Sequence, residues 1–146
     1  MPTRPAFRPA ILGAVVLGGM LGVALREILL LPFTALSDQS TLARPLATMA
    51  VNVVGSFALG AVAGRLGTRH PLGRAFLGTG ILGGFTTYSA FAVQSVTVFS
   101  AAPLVGIFLA VLSVLLGLAA AALGVRLTLR PFGGPDETPA GSGVTT

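Results

Sequence analysis

Between Ala75 and Ala102 the chain runs for 28 residues without a charge. About 20 apolar residues are enough to cross the hydrocarbon core of a bilayer, so this run predicts a transmembrane segment. Its middle does not suit a plain helix facing lipid. It reads Gly83-Gly84-Phe85-Thr86-Thr87-Tyr88-Ser89-Ala90-Phe91. Adjacent glycines loosen the backbone, and two β-branched threonines add little helix propensity. No water reaches membrane depth, so a broken helix needs protein or a wet cavity to receive its freed N–H and C=O groups. Two readings follow. One is a kink packed against neighbouring helices. The other is an interrupted helix whose exposed carbonyls bind a small ion.

Composition places the whole chain in a membrane. Of 146 residues, 53% are hydrophobic and 9% charged, against roughly 25% charged in soluble domains. The mean hydropathy is +0.92. There is no cysteine, which excludes disulfides and thiolate metal sites. The single histidine, His70, lies in a basic loop. The net charge of +5 comes from nine arginines. Most of them flank apolar spans, as topology signals do, so they do not imply nucleic-acid binding. The sequence offers no Ser/His/Asp constellation, paired carboxylates in a span or phosphate loop, and gives no support for an enzyme.

Four spans are expected. After a basic tail over residues 1–9, the first runs from about Ala10 to Leu31; it is too long for a signal core and lacks a clear cleavage site. Gly18 and Gly22 form a GxxxG face for close helix approach. Arg26 lies inside this span, where a charge costs roughly 2.5–3.5 kcal/mol on insertion scales. It needs a partner, a wet cavity or a route to the membrane edge. Glu27 is adjacent, but neighbours at i,i+1 are expected to point apart. The stretch Pro32–Arg44 is expected as a loop. The second span runs from about Pro45 to Gly64, with Thr48 and Asn52 on one face and Ser56, Gly60 and Gly64 continuing a small-residue stripe. Asn52 is either an interhelical clasp or part of a pore. Arg65–Arg74 reads as a short basic loop with a turn at Pro71-Leu72-Gly73. The fourth span covers about Pro103–Val125, with Ser113, Gly117 and Ala121 on another small-residue face. Ser113 either bonds back to its own helix or lends a hydroxyl to a pore. Residues 127–146 read as a disordered tail, leaving 10–126 as the folded unit.

The central motif resembles the GG-[FL]-TT-F-S-T-F signature of the Fluc (CrcB) fluoride channels. Gly18 to Glu27 is similar to the family's G-G-x-x-G-A-x-x-R-Y, departing at Val23 and Glu27. Thr48 to Phe57 is similar to its T-L-x-V-N-x-x-G-S-F. The resemblance covers about residues 10–126. It implies an all-α membrane protein of four transmembrane helices, the third broken at its centre, assembled as an antiparallel dual-topology-type dimer. It also implies a Na⁺ ion at the dimer centre, held by the backbone carbonyls of Gly83 and Thr86. The function implied is a passive fluoride-selective channel that exports fluoride from the cytoplasm of a bacterial cell through its inner membrane. Tyr88 and Phe91 would line the pore with positive ring edges. Asn52, Thr48 and Ser89 would supply donors, with Ser113 and Arg26 the remaining pore candidates. Three positions depart from the family: Tyr88 for its Phe, Ala90 for its Thr and Gln94 for its Glu.

The charges carry a separate message. With four spans, both termini and the loop between spans two and three share one side. That side holds Arg4, Arg8, Arg65, Arg69, Arg74, Arg126 and Arg130, while the other holds only Arg44. Such a bias predicts cytoplasmic termini and one orientation. An antiparallel dimer of one chain needs both orientations. The bias therefore suggests a paralogous sister chain as an alternative to self-pairing. Two rival readings remain at this stage: a small proton-coupled multidrug exporter, for which Glu27 is the sole candidate acid, and a non-transporting membrane scaffold.

Overall fold

The computed structural model describes residues 9–36, 42–67 and 70–129. Every regular element among them is helical. Helix α1 spans Pro9–Leu36 and α2 spans Ala43–Leu66. The third span begins with α3, Pro71–Arg74, continues through a π-helical stretch, Ala75–Leu82, and ends its first half with α4, Gly83–Phe85. After the extended pair Thr86-Thr87 come α5, Tyr88–Ala101, and α6, Pro103–Thr128. Four stretches are long and apolar enough to cross a membrane: Pro9–Thr34, Ala43–Leu66, Pro71–Ala101 and Pro103–Thr128. Large apolar side chains such as Met20, Ile28, Leu104 and Leu118 are more than half exposed, as expected where the solvent is hydrocarbon.

Glycine decides how the helices pair. A Cβ at Gly18 would fall on the Phe76 carbonyl oxygen, and one at Gly22 on the Ile81 carbonyl oxygen. Opposite them, a Cβ at Gly80 would lie 2.9 Å from Gly18 Cα, and one at Gly84 would fall on the Gly19 carbonyl oxygen. Helix α1 and the first half of the third span therefore pack backbone to backbone, as small residues allow in membranes. The same device joins α2 to α6. Gly60 lies against the backbone of Ala121, and Gly124 against Phe57 and Ala61. Contacts advance in the same direction along both helices, so α2 and α6 are parallel. This is the arrangement expected of the second and fourth spans. The short residue Ala102 alone separates α5 from α6, with Pro103 opening α6 and Gly106 against the backbone of Phe99.

Several boundaries differ from the sequence reading. Helix α1 continues through Pro32 to Leu36. Proline removes one helical N–H but does not end a helix by itself, and Thr34 Oγ1 donates to the Leu31 carbonyl at 2.7 Å. Helix α2 starts at Ala43, with Pro45 in its first turn, where no helical N–H is needed. The expected turn at Pro71-Leu72-Gly73 is the first turn of the third span, because Pro71 stands at its start after non-helical His70. Helix α6 extends to Thr128, two residues past the expected end of the folded unit. Of the expected tails, 1–9 and 127–146, residues 1–8 and 130–146 lie outside the described residues, while Pro9, Leu127 and Thr128 are helical; most of the loop between α1 and α2 also lies outside them.

Candidate ion site and pore

The third span is broken at Thr86-Thr87. Thr86 has φ −79° and ψ 140°, and Thr87 has φ −138° and ψ 110°. Both are extended, so the helical hydrogen-bond ladder stops here. The freed groups are shared out by a few polar side chains. The Leu82 carbonyl accepts twice from Thr86, from its N–H at 3.0 Å and its Oγ1 at 2.9 Å. Asn52 on α2 takes both backbone groups of Thr87. Its Oδ1 accepts from the Thr87 N–H at 2.8 Å, and its Nδ2 donates to the Thr87 carbonyl at 3.0 Å. Thr87 then starts α5, its Oγ1 accepting from the Ala90 N–H at 3.3 Å. That bond is a side-chain N-cap.

This sharing diverts two N–H groups from the carbonyls a helix would give them. In an intact helix the Gly83 carbonyl would receive the Thr87 N–H, and the Thr86 carbonyl would receive the Ala90 N–H. The first donor goes to Asn52 and the second to Thr87 Oγ1. Gly83 and Thr86 are the two residues that the resemblance gives as Na⁺ ligands. Their carbonyls are hard oxygen donors of the type that suits an alkali cation.

Arg26 supports the break from the other side. Its Nη1 donates to the Gly84 carbonyl at 3.3 Å. Its Nε and Nη2 both donate to Glu27 Oε1, at 3.1 and 2.9 Å. The expectation that Glu27 points away from Arg26 is therefore overturned. Both side chains are long enough to turn toward each other across one helical step. The Arg26 side chain is 17% exposed and that of Glu27 is 61% exposed. Glu27 is exposed and ion-paired, so the span offers no free buried carboxylate of the kind a proton-coupled exporter requires.

The remaining candidates fall into two groups. Tyr88 and Phe91 line one open groove of about 490 Å³ between α5 and α6, with Ser95 and Val111. Phe91 is 4% exposed and Tyr88 75% exposed. The two rings thus share a groove but sit at different depths. Thr48, one turn before Asn52 on α2, is fully buried, and its Oγ1 has no hydrogen-bond partner. Ser113 is buried on α6 and Ser89 is exposed beside the break, its Oγ 3.4 Å from Thr87 Oγ1. The break unites Asn52, Gly83, Thr86, Ser89 and Arg26, while Tyr88 and Phe91 lead away from it along α5. Two further unpartnered polar atoms, Gln94 Oε1 and Ser95 Oγ, are buried on α5. Gln94 stood out in the sequence only as a departure from the family, and Ser95 carried no motif signal. The eight-residue π-helical stretch also had no sequence signature.

Fold and site together define a multi-pass membrane protein with an interrupted helix at membrane depth, its broken backbone held by polar side chains from two other helices. Residues 13–125 match the family described as CrcB-like protein, Camphor Resistance (CrcB), and the chain belongs to that family. It is similar to the fluoride-specific ion channel FluC 2 of Rhodococcus jostii strain RHA1, 43% identical over 115 residues, 78% of this chain and 95% of that protein. It is also similar to the FluC 2 channel of Bacillus subtilis strain 168, 38% identical over 125 residues, 84% of this chain and 91% of that protein. A FluC 2 channel of Corynebacterium jeikeium strain K411 is 39% identical over 130 residues, 77% of this chain and 76% of that protein.

Proposed function

We propose that this chain is the subunit of a passive fluoride channel that releases fluoride from the cytoplasm. The observation that carries the reading is the break at Thr86-Thr87, clasped by Asn52, in a chain whose relatives are named fluoride-specific ion channels. Fluoride is small and tightly hydrated, so a path for it must replace lost water with donors and positive ring edges. The groove shared by Tyr88 and Phe91, next to the break, supports such a path. Asn52 keeps one amide hydrogen beyond its bond to Thr87, and Ser89, Thr48 and Ser113 are the other hydroxyl donors offered to it. Arg26 adds positive charge at the break.

The Gly83 and Thr86 carbonyls would hold a Na⁺ ion. A cation held there would supply fixed positive charge where the helical hydrogen-bond ladder stops. The chain itself does the rest: Asn52 keeps Thr87 extended, which withholds the donor that would otherwise close on Gly83.

The subunit works in an antiparallel dimer in a bacterial inner membrane, with both termini in the cytoplasm. The partner is a second copy or a paralogous sister chain of opposite charge bias. Seven arginines on one side against one on the other favour the sister chain. Fluoride efflux from liposomes, read by electrode and repeated with chloride, tests the function. Fluoride-only efflux from the chain alone supports a self-pairing channel. Efflux only after co-expression with a sister chain supports the mixed dimer. Equal chloride and fluoride efflux refutes the channel proposed.

A further inference from the structure

Arg26 and Glu27 are the two charges of α1 among the described residues. They form one unit at the break. Glu27 Oε1 accepts two of the guanidinium's hydrogen bonds, and a third goes from Nη1 to the Gly84 carbonyl. Arg26 is mostly covered, while Glu27 stands out toward the surroundings. The carboxylate is therefore the more accessible member of the pair. It stands where the resembled stretch has tyrosine, so the charge is a property of this chain. We propose that Glu27 is a positioning and charge-offsetting partner of Arg26 that lowers the anion-attracting field beside the break.

The argument is electrostatic and rests on the channel reading above. An unpaired guanidinium beside the break would draw anions toward it. A carboxylate within hydrogen-bond distance cancels most of that field beyond a few ångströms, leaving a dipole. Charges near the protein surface interact at an effective dielectric between that of the interior and water, and salt screens them over about 8–10 Å. The offset therefore matters most at low ionic strength. It also ties α1 to the third span through one chain of bonds, Glu27 to Arg26 to Gly84.

The test uses Glu27→Gln and Glu27→Asp in whichever assembly, self-paired or mixed, passes fluoride with the wild-type chain. Initial fluoride efflux is measured at sub-saturating fluoride across ionic strengths from about 10 to 300 mM. Glu27→Gln keeps an acceptor for Arg26 but removes the charge. Its efflux at low salt is expected to rise about two- to fivefold, with the gain fading at high salt. Glu27→Asp keeps the charge and is expected to follow the wild-type salt profile. A Gln variant with the wild-type salt profile overturns the proposal. So do Gln and Asp variants that change efflux alike, because the hydrogen-bond geometry to Arg26, and not the charge, would then be the cause. If the wild-type chain passes no fluoride in any assembly, the channel reading fails instead, and the two failures remain distinct.

Discussion

Replacing Asn52 by alanine removes the clasp on the break and separates two roles the side chain could play. The amide holds both the N–H and the C=O of Thr87, at 2.8 and 3.0 Å. Thr87 is 8% exposed, so water gives little replacement. Each buried polar group left without a partner costs about 1–3 kcal/mol, which would sum to about 2–6 kcal/mol for the pair. Rewinding limits the loss, because the freed Thr87 N–H can close on the Gly83 carbonyl as in an ordinary helix. Polar contacts between membrane helices average about 0.6 kcal/mol each, with a maximum near 1.7 kcal/mol. The expected destabilisation is therefore about 1–3 kcal/mol. Rewinding would also consume the Gly83 carbonyl, so fluoride efflux should fall much further than stability. Unfolding of the purified protein by SDS titration measures the first quantity, and liposome efflux the second. Asn52→Asp should be worse on both counts: it can accept from the Thr87 N–H but faces the Thr87 carbonyl with an oxygen and a charge. Loss of efflux with stability unchanged within about 0.5 kcal/mol would refute the clasp and make Asn52 a direct donor to the ion. Unchanged efflux would remove the break from the conduction path.

Gly22→Leu should prevent the native pairing of α1 with the third span, since even a Cβ at this position meets the Ile81 carbonyl and lies 2.8 Å from the Phe85 nitrogen. The check is loss of a monodisperse species in size-exclusion chromatography, with Gly13→Leu as the control because open space surrounds Gly13. Phe91→Ala should destabilise in SDS titration through lost packing, by less than the ~3–5 kcal/mol typical of water-soluble cores, because the ring is 4% exposed but its alternative surroundings are apolar lipid. Tyr88→Phe, at a 75% exposed ring, should change stability by less than about 0.5 kcal/mol while altering efflux. An efflux rate for Tyr88→Phe equal to wild type would exclude its hydroxyl from the pore.

Much of this architecture could be read from residue type and spacing. The four spans follow from apolar length. The pairing faces follow from glycine and serine at intervals of four. Gly60, Gly117 and Ala121 occupy the α2–α6 contact where that interval places them. The break was legible because Gly83-Gly84 and Thr86-Thr87 cannot form a strong lipid-facing helix. What spacing could not give was the direction of individual polar side chains. The i,i+1 rule places Cα–Cβ bonds apart, but the long side chains of Arg26 and Glu27 close that gap. The choice for Asn52 between clasp and pore also stayed open, because it depends on whether Thr87 or an ion lies opposite. Helix ends were misjudged where proline was taken as a stop: Pro32 is passed over, and Pro71 opens a helix rather than a turn.

The backbone groups around the break are served by side chains from several elements. Leu82 accepts two donors, Gly84 accepts Arg26, and Thr87 accepts Asn52. Gly83 and Thr86 lose their helical donors to neighbouring side chains. Side chains from α1, α2 and the break itself serve the carbonyls of Leu82, Gly84 and Thr87 and divert the Thr87 and Ala90 N–H groups from their helical acceptors. Each support uses a different chemistry: a guanidinium on α1, an amide on α2 and a hydroxyl on Thr87. An amide accepts through one atom and donates through another, so it can hold the N–H and the C=O of Thr87 at once. A serine or threonine at position 52 is too short to span both groups, and a carboxylate lacks the donor. The residue type at 52 thus suits the backbone it holds, and that hold diverts the Thr87 N–H from the Gly83 carbonyl.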